Sequence, residues 1–596
     1  MSSTERLFQQ AMAWHQLGLF DAACRTYRDV LQRRPGHEHA WHMLGLAAIQ
    51  DGRVESGVDL LRKRIAETPN DASIRVTLGE GLRRLGRRDD ARLQFDAAIE
   101  LTPNDPWVWY NRGLLSLESG RADDALADLD MALTLRPDDV ATLNERGKAL
   151  SALGRRDEAL ASFERAVALA PDSVEAHCNR GNAYLDLLRP QEAVDSFSGA
   201  IALRADHAPS FCNRGNALLA LSRHDEAVAD YEQAIALSPP DASLWLNRGG
   251  ALGVLGRYDA ALDSFDKALE LEPDSVAVRW NKALFLLGHG RFREAWPLYE
   301  ARKDLPIPLG NRIFSQPLWT GEQSLSGKTL LIYAEQGFGD AIQFCRYATM
   351  AANAGARVVL EVSSALTELM KTLSGVAEII AEGEQPAGFD LQCPMMSLPR
   401  AFGTTLETIP APVRYLRADP EQAQIWRNRV SHLRGRRIGL VWAGAARHWD
   451  PAAAGIDRRR SIPLDALAPL ASVPGCHFIS LQIGPTARQA ASPPPGMIIH
   501  DLTRHIQTFA DTAALIENLD LVLAVDTSTA HLAAAMGKPV WLLNRYDSCW
   551  RWLRDRDDSP WYPTLTQFRQ SAQGDWGGVI ERVTQRLASL SADARQ

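Results

Sequence analysis

The residues best placed to do chemistry stand in Leu521–Asn544, LVLAVDTSTAHLAAAMGKPVWLLN. Asp526 and His531 bracket the start of a predicted helix, with Thr527, Ser528 and Thr529 between them. The first N–H groups of a helix lack intrahelical partners and carry the positive end of its dipole, so this turn suits a phosphate-bearing ligand. The same residues also fit a plain strand–helix–strand unit with an Asp/Ser/Thr cap and a satisfied helical histidine. A second group is Gly337-Phe338-Gly339-Asp340, behind the strand-like run Lys328–Tyr333. Gly337 and Gly339 would let a ligand approach the backbone. Asp340 begins the next helix, where a carboxylate also simply complements the dipole. The turn is not the dinucleotide fingerprint GxGxxG, and no acidic residue about 20 positions on takes a clear ribose role. A third group is the basic run Asp457-Arg458-Arg459-Arg460-Ser461, flanked by Pro451 and Gly455. A flexible loop carrying arginines toward a cleft suits a pyrophosphate; the alternative is a solvated loop.

These groups need strands and helices to hold them. Leu521–Ala524 and Val540–Leu543 are apolar without alternation, as in strands covered on both faces. Arg357–Val362, Glu378–Ala381 and Phe389–Cys393 extend a first α/β unit, with helices predicted over Ala341–Gly355 and Ser363–Leu373. Arg437–Trp442 opens a second unit, followed by a helix at Pro463–Ala471, a strand at His477–Leu481 and a helix at Asp511–Asn518. Two such units facing each other leave a cleft between their strand carboxyl ends. Arg545, Trp550, Arg551, Trp552, Trp561 and Tyr562 form an Arg/aromatic cluster past the last of these strands. It either stacks on a base or sugar, or pins the C-terminal segment across both units, and the second is the preferred reading.

The first three hundred residues are a repeat. Prolines at 35, 69, 103, 137, 171, 239 and 273 fall on a 34-residue grid. Glycines at 45, 79, 113, 147, 181, 215 and 249, continued by Ala283, fall on a second grid of that period. A third carries Gly18, Gly52, Gly86, Gly120, Gly154, Gly256 and Gly290, with Leu188 and Ser222 in its gaps. A fourth carries Ala23, Ala91, Ala125, Ala159, Ala193, Ala227, Ala261 and Ala295. Each repeat predicts two helices: the first-helix glycine admits a close second helix, and the turn glycine takes positive φ. Phe95, Phe163, Phe197, Tyr231, Phe265 and Tyr299 fill the space between them. Asp71, Asp105, Asp138 and Asp172 behind the prolines cap the next helix. Stacked pairs make a concave groove, into which Asn111, Asn179, Asn213, Asn247 and Asn281 would point their amides. Either they hold an extended peptide backbone, or they bond the neighbouring repeat, which is the preferred reading. From Asp304 the pattern dissolves into Pro306, Pro308, Gly310, Pro317 and Gly321, a linker or docking segment.

Composition narrows the class. A net charge of −8 over 596 residues argues against a broad nucleic-acid footprint. No stretch approaches a membrane span, and the start MSSTERLFQQ has no signal-peptide pattern. Seven scattered cysteines without a CxxC pair suit a reducing cytoplasm and argue against a zinc site. His37, His39 and His42 read as repeat residues rather than metal ligands.

The N-terminal pattern resembles the tetratricopeptide repeat family. Its asparagine array is similar to the ladder in the repeats of the eukaryotic protein O-GlcNAc transferase. The C-terminal half, through GFGD, RSIPL and DTSTAHLAAAMGKPVWLL in that order, resembles the ADP-heptose:lipopolysaccharide heptosyltransferase family of glycosyltransferases. The implied fold class is α plus α/β multidomain: an all-α tetratricopeptide-repeat superhelix, then a GT-B fold of two Rossmann-like α/β domains. The implied layout is about nine repeats over 4–309, a linker at 310–327, and α/β halves at 328–433 and 434–596. The resemblance implies a bacterial, cytoplasmic glycosyltransferase that transfers a sugar from a nucleotide-diphosphate-sugar, inverting and without a metal or other cofactor. Asp340 would be its general base. Arg460 would steady the departing diphosphate, and Asp526, Thr527, Ser528, Thr529 and His531, with Gly337, Gly339 and more weakly Gln482, would hold the donor. Ser528 stands where the family usually has glycine. The groove would recruit a protein or glycan acceptor. The alternatives are a non-catalytic repeat scaffold with a degenerate GT-B domain, and an isomerase acting on nucleotide-sugars.

Overall fold

A computed structural model describes residues 2–305, 312, 314–445 and 451–593. Of the expected last-repeat tail and linker, residues 306–311 and 313 lie outside the described residues, as do 594–596 of the expected second α/β half. The chain forms two compact units, Met1–Ala261 and Leu262–Gln596. The division falls inside the Tyr258–Leu271 helix, earlier than the sequence change at Asp304.

Among the described residues, eighteen helices in nine consecutive pairs run from Ser3–Gln16 to Phe292–Tyr299. The grids explain the pairs. A Cβ at Gly79 or Gly181 would stand 2.6 Å from the ring of Phe95 or Phe197, and one at Gly215 would stand 2.8 Å from Tyr231. Only a bare backbone leaves room for these aromatics between the two helices. The turn glycines take φ near +70°, as at Gly86 (72°) and Gly154 (73°). Leu188 and Ser222, which fill the gaps in that grid, adopt the same left-handed backbone at 59° and 61°. The helix caps include Asp71, Asp105, Asp139 and Ser173, each accepting from a first-turn N–H. Asp138 and Asp172 stand one place too early to cap; Asp138 instead pairs with Arg165 at 2.8 Å.

Two further periodic devices hold this unit. Trp41, Arg75, Trp109 and His177 each reach back six residues to the carbonyl of Pro35, Pro69, Pro103 or Pro171, at 2.8–3.0 Å. Each so ties the loop that ends one repeat to the helix that starts the next. One place before the first-helix glycine, Arg112, Arg146, Arg180, Arg214 and Arg248 form a ladder. Arg112 donates to Asp128 in its own repeat (2.6 Å) and to Asp96 in the preceding one (2.7 Å). Arg146 spans Ser162 and Asp130 likewise, and Arg214 spans Asp230 and Ser198.

In the second unit, strands β1 (Thr329–Tyr333), β2 (Arg357–Val362), β3 (Val376–Ala381) and β4 (Leu391–Pro394) form a parallel sheet in the order β3-β2-β1-β4. Strands β5 (Arg436–Val441), β6 (Cys476–Ser480), β7 (Ile499–Asp501), β8 (Leu521–Val525), β9 (Val540–Asn544) and β10 (Leu565–Arg569) form another, in the order β10-β9-β8-β5-β6-β7. Every pairing in it is parallel. Helices between the strands give two Rossmann-like halves, so the α plus α/β class holds. The helix expected over Ala341–Gly355 is interrupted at Cys345, giving Phe338–Phe344 and Arg346–Asn353. The basic run is the end of a helix, Pro451–Arg460, rather than a flexible loop.

The last repeat pair belongs to this second unit. Phe292, Trp296 and Tyr299, spaced to share one helix face, are buried to 2% exposure or less. They join one apolar core with Phe344, Trp550 and Trp561. Each such ring contributes roughly 2–3 kcal/mol by burial. Trp296 Nε1 donates to Thr404 O at 2.8 Å. Arg302 is buried, and its guanidinium meets Glu335 at 2.6 Å and Glu300 at 2.9 Å. The Arg/aromatic cluster past β9 is therefore mainly structural: Trp552, Trp561 and Tyr562 are all buried. Arg346, also buried, donates to the carbonyls of Pro410 and Trp561 and to the hydroxyl of Tyr415, locking the first half to the C-terminal segment.

Candidate functional site

Strand β8 ends at Val525, and the Ser528–Ala535 helix begins three residues later. Thr527 is the N-cap residue in extended backbone, but its hydroxyl donates to Val525 O (3.1 Å) instead of capping. No side chain caps this helix, so its first N–H groups keep the capacity to bind an anion. Ser528 does not take a left-handed backbone, so serine fits this turn without strain.

The two halves meet at this turn. Gly339 lies in the first turn of the Phe338–Phe344 helix, and a Cβ on it would lie 3.0 Å from His531 Cδ2 and 3.6 Å from Ser528 Cα. Glycine is needed here for close approach, and it brings two helix N-termini together. Gly337 is the N-cap of the same helix, in extended backbone.

His531 is buried behind the turn. Its Nδ1 is 2.8 Å from the Tyr562 hydroxyl, its Nε2 is 3.8 Å from Asp526 Oδ1, and its ring stacks on Trp552 at 4.9 Å. Burial pushes its pKa down to about 3; Asp526 opposes the shift, while Arg551, Arg346 and Arg460 reinforce it. A neutral imidazole accepting from Tyr562 at Nδ1 keeps its N–H on Nε2, facing Asp526. His531 thus orders the turn and carries no charge of its own.

Asp340 is 22% exposed and ion-paired with Arg551. Burial raises its pKa and Asp526 raises it further, against the pull of Arg551. Arg551 comes from the short turn Trp550–Trp552, lies 4.4 Å over the Trp550 ring, and donates to Cys549 Sγ at 3.1 Å. Arg460 closes the other side. It donates to the backbone carbonyl of Asp526 (2.8 Å) and pairs with the buried carboxylate of Asp457 (2.7 Å). It also packs against Gly444, where a Cβ would stand 2.6 Å from its Cζ. The Nε–H groups of Arg460 and Arg551 are both buried without a hydrogen-bond partner.

Gln482 does something else. Its amide is buried, accepting from the N–H groups of Trp442 (3.1 Å) and Ala443 (2.9 Å) and donating to Ala443 O (3.0 Å) and Thr486 Oγ1 (3.0 Å). It ties the end of β5 to the loop after β6 and leaves nothing for a donor, so the expected ligand role is replaced by a structural one. The asparagines follow two patterns. Asn179 donates to Asn144 (3.1 Å) and Asn213 to Asn182 (3.3 Å), each in the preceding repeat, and Asn247 bonds Cys212. Asn111 and Asn281 donate to carbonyls of their own helices, Trp107 and Ala277.

Sequence reasoning placed Arg551 in the aromatic cluster and missed its pairing with Asp340, for which no local signal exists. It missed Asp457 as the partner of Arg460, although spacing of three on a helix was the available signal. It also passed over Glu361, which lies in β2 and is buried against Arg312. Among the described residues no group of three or more His, Cys, Asp or Glu is arranged to hold a metal ion. His42 bonds Thr77 at 2.7 Å, and His37 caps Ala40. Among the described residues no helix is long and apolar enough to cross a membrane.

Comparison with known proteins matches both halves of this picture. Tetratricopeptide repeat families match residues 9–72, 76–140, 147–187, 208–241 and 242–275. Glycosyltransferase family 9 (heptosyltransferase) matches residues 507–572, a segment that holds the Asp526–His531 turn, Arg551 and Tyr562 but neither Asp340 nor Arg460. Protein FlbA of Caulobacter vibrioides is 27% identical over 340 residues, 52% of this chain and 55% of that one. The chain thus spans about half the length of the curated relative it matches. Among solved structures, the MamA protein is 28% identical over 28% of this chain and 92% of its own, with a TM-score of 0.27. A thermophilic repeat protein of Thermus thermophilus is 26% identical over 30% of this chain and 99% of its own, also at 0.27. The chain carries tetratricopeptide repeats followed by a module similar to the family 9 glycosyltransferases.

Proposed function

We propose that the protein transfers a sugar from a nucleotide-diphosphate-sugar to an acceptor recruited by its repeats. The reading is carried by one observation: the uncapped turn at Ser528 and the helix bearing Asp340 meet at Gly339. In this reading the donor diphosphate lies at the Thr527–Thr529 turn beside Arg460. Asp340 takes the proton from an acceptor hydroxyl as that oxygen attacks the anomeric carbon. The bond from that carbon to the diphosphate oxygen breaks, and the diphosphate leaves with the electron pair. One displacement inverts the anomeric centre. The leaving charge is met by the helix N-terminus and Arg460, so the reaction is written without a metal. The acceptor is a protein or glycan held by the repeats, and the setting is a bacterial cytoplasm.

The test is a melting-temperature screen with nucleoside diphosphates and their sugars, repeated on Arg460→Ala, followed by transfer assays with the responding donor. A shift with one nucleotide, lost in Arg460→Ala, and label passing to an acceptor support the reading. No shift with any nucleotide, in a folded protein, sinks it. The ion pair on Asp340 favours a second reading, a non-catalytic repeat scaffold, and binding without turnover would select it. Turnover of the donor with no acceptor present would select an isomerase.

A further inference from the structure

Arg551 is tied up in a way that a passive structural arginine need not be. Its guanidinium holds the one carboxylate placed to act as base, yet it sits beside the turn placed to hold phosphates. The charged and titratable groups around the pair are few. Facing Asp340 are Arg551, Asp526 and the Tyr299 phenol; facing Arg551 are Asp340, Cys549 and Tyr299. His531, held neutral, senses Asp526, Arg551, Arg346 and Arg460. Arg346 is fixed by four hydrogen bonds to Gln343, Pro410, Trp561 and Tyr415. Arg460 is anchored on Asp457 and Asp526. Arg551 has one ionic partner, one weak sulfur acceptor and a buried Nε–H with none. Like Arg460 it has an orphaned Nε–H, and it rests on the faces of Trp550 and Phe344, but it is the arginine of this group whose charge partner is the candidate base itself.

We infer that Arg551 is a second diphosphate-binding residue and a latch: without ligand it holds Asp340, and a bound diphosphate draws it away and frees that carboxylate to take a proton. The inference rests on the proposed donor site and adds a coupling within it. A dianionic or trianionic diphosphate offers a guanidinium more charge and more acceptor oxygens than one carboxylate does. Phosphate oxygens would also satisfy the orphaned Nε–H once the group turns. Asp340, half-buried beside Asp526, then loses the one cation that favours its ionised form, and its affinity for a proton rises. The base therefore strengthens when a donor is in place and is held weaker by Arg551 when none is. In a turnover the proton comes from the acceptor hydroxyl; with no acceptor it comes from solvent.

Proton uptake on binding tests this directly. The full-length protein is titrated calorimetrically with ADP, UDP, GDP, CDP and inorganic pyrophosphate, in buffers of different ionisation enthalpy between about pH 6 and 8. The expected result is that the wild type takes up more protons per ligand than Asp340→Asn, which still binds. Arg551→Gln should bind roughly tenfold more weakly or worse and show no such difference. Arg551→Lys, which keeps the charge without the fork, replaces it if the glutamine variant is unfolded, and should fall between the two. Equal proton exchange in the wild type and Asp340→Asn, or undiminished affinity in both Arg551 variants, overturns the latch while leaving the donor site intact. No binding of any of the five ligands to the folded wild type removes the donor site and the latch together.

Discussion

Arg551 and Asp340 are 211 positions apart in the chain and form one ion pair at the seam of the two α/β halves. The contact joins a helix start of the first half to the C-terminal segment of the second. If Asp340 is the base, Asp340→Asn should lower transfer by about 10²–10⁴-fold while binding donor at least as tightly as the wild type, because Arg551 no longer has to leave a carboxylate. Kinetics with the donor found by melting-temperature screening, beside a far-ultraviolet spectrum to show folding, is the check.

His531 gives a pH signature. Its folded-state pKa is depressed to about 3, against about 6.5 for an unfolded histidine. Below the unfolded value the unfolded chain binds a proton that the folded one refuses, so stability falls as pH drops from 6.5 toward 3. At pH 5 this one group costs about 2 kcal/mol. Other buried histidines add to the slope, so the measurement is a comparison. His531→Gln should lose less stability between about pH 7 and 5 than the wild type, in denaturant titrations at each pH. Equal slopes would show that this ring is not held neutral.

Leu188 and Ser222 take the left-handed backbone that glycine takes in the other repeats. A non-glycine residue there costs about 1–2 kcal/mol, offset in part by glycine's larger loss of freedom on folding. Leu188→Gly and Ser222→Gly should each stabilise the first unit by about 0.5–1 kcal/mol, read as a rise in its denaturation midpoint.

The converse holds at the first-helix glycines. Gly181→Ala puts a methyl 2.6 Å from the Phe197 ring, which is fully buried. Overpacking of this kind costs about 1–3 kcal/mol. Pairing it with Phe197→Leu should recover part of the loss, and a double-mutant cycle measures how much.

Arg302 is wholly buried against Glu335, whose carboxyl is itself raised by burial. Arg302→Met should destabilise the second unit by about 3–5 kcal/mol, because it strands a buried charge. Adding Glu335→Gln should restore most of it. If the single variant is as stable as the wild type, the network does not hold the last repeat to β1.

The repeats were legible because their signal is redundant: proline, glycine and alanine each recur with one period, and each has a local physical cause. The arginine ladder through Arg112, Arg146 and Arg214 shares that period, but its meaning depends on acidic or serine side chains sixteen positions to either side. Strand-end turns were legible for a similar reason, since Asp526, Ser528 and Gly339 punctuate apolar runs. Side-chain pairing across the fold was not. Nothing near Asp340 in sequence points to Arg551, and nothing near Gln482 says that its amide faces inward onto Trp442 and Ala443. The cap positions slipped by one at Asp139 and Ser173 because two candidates were adjacent and only backbone geometry chooses between them.

Tyr299 and Trp296 lie in the same core as Phe344 and Trp550. For the ancestry of such a chain this means that its repeats are not equal in inheritance. Those upstream of residue 262 are free to be duplicated or lost in steps of 34 residues, because each answers only to its neighbours. The final pair is tied to the enzyme-like half and must be handed down with it. The point at which a new array can be spliced on is the Tyr258–Leu271 helix, and a recombination that cut at the visible change of pattern near Asp304 would leave bare a face of Phe292, Trp296 and Tyr299.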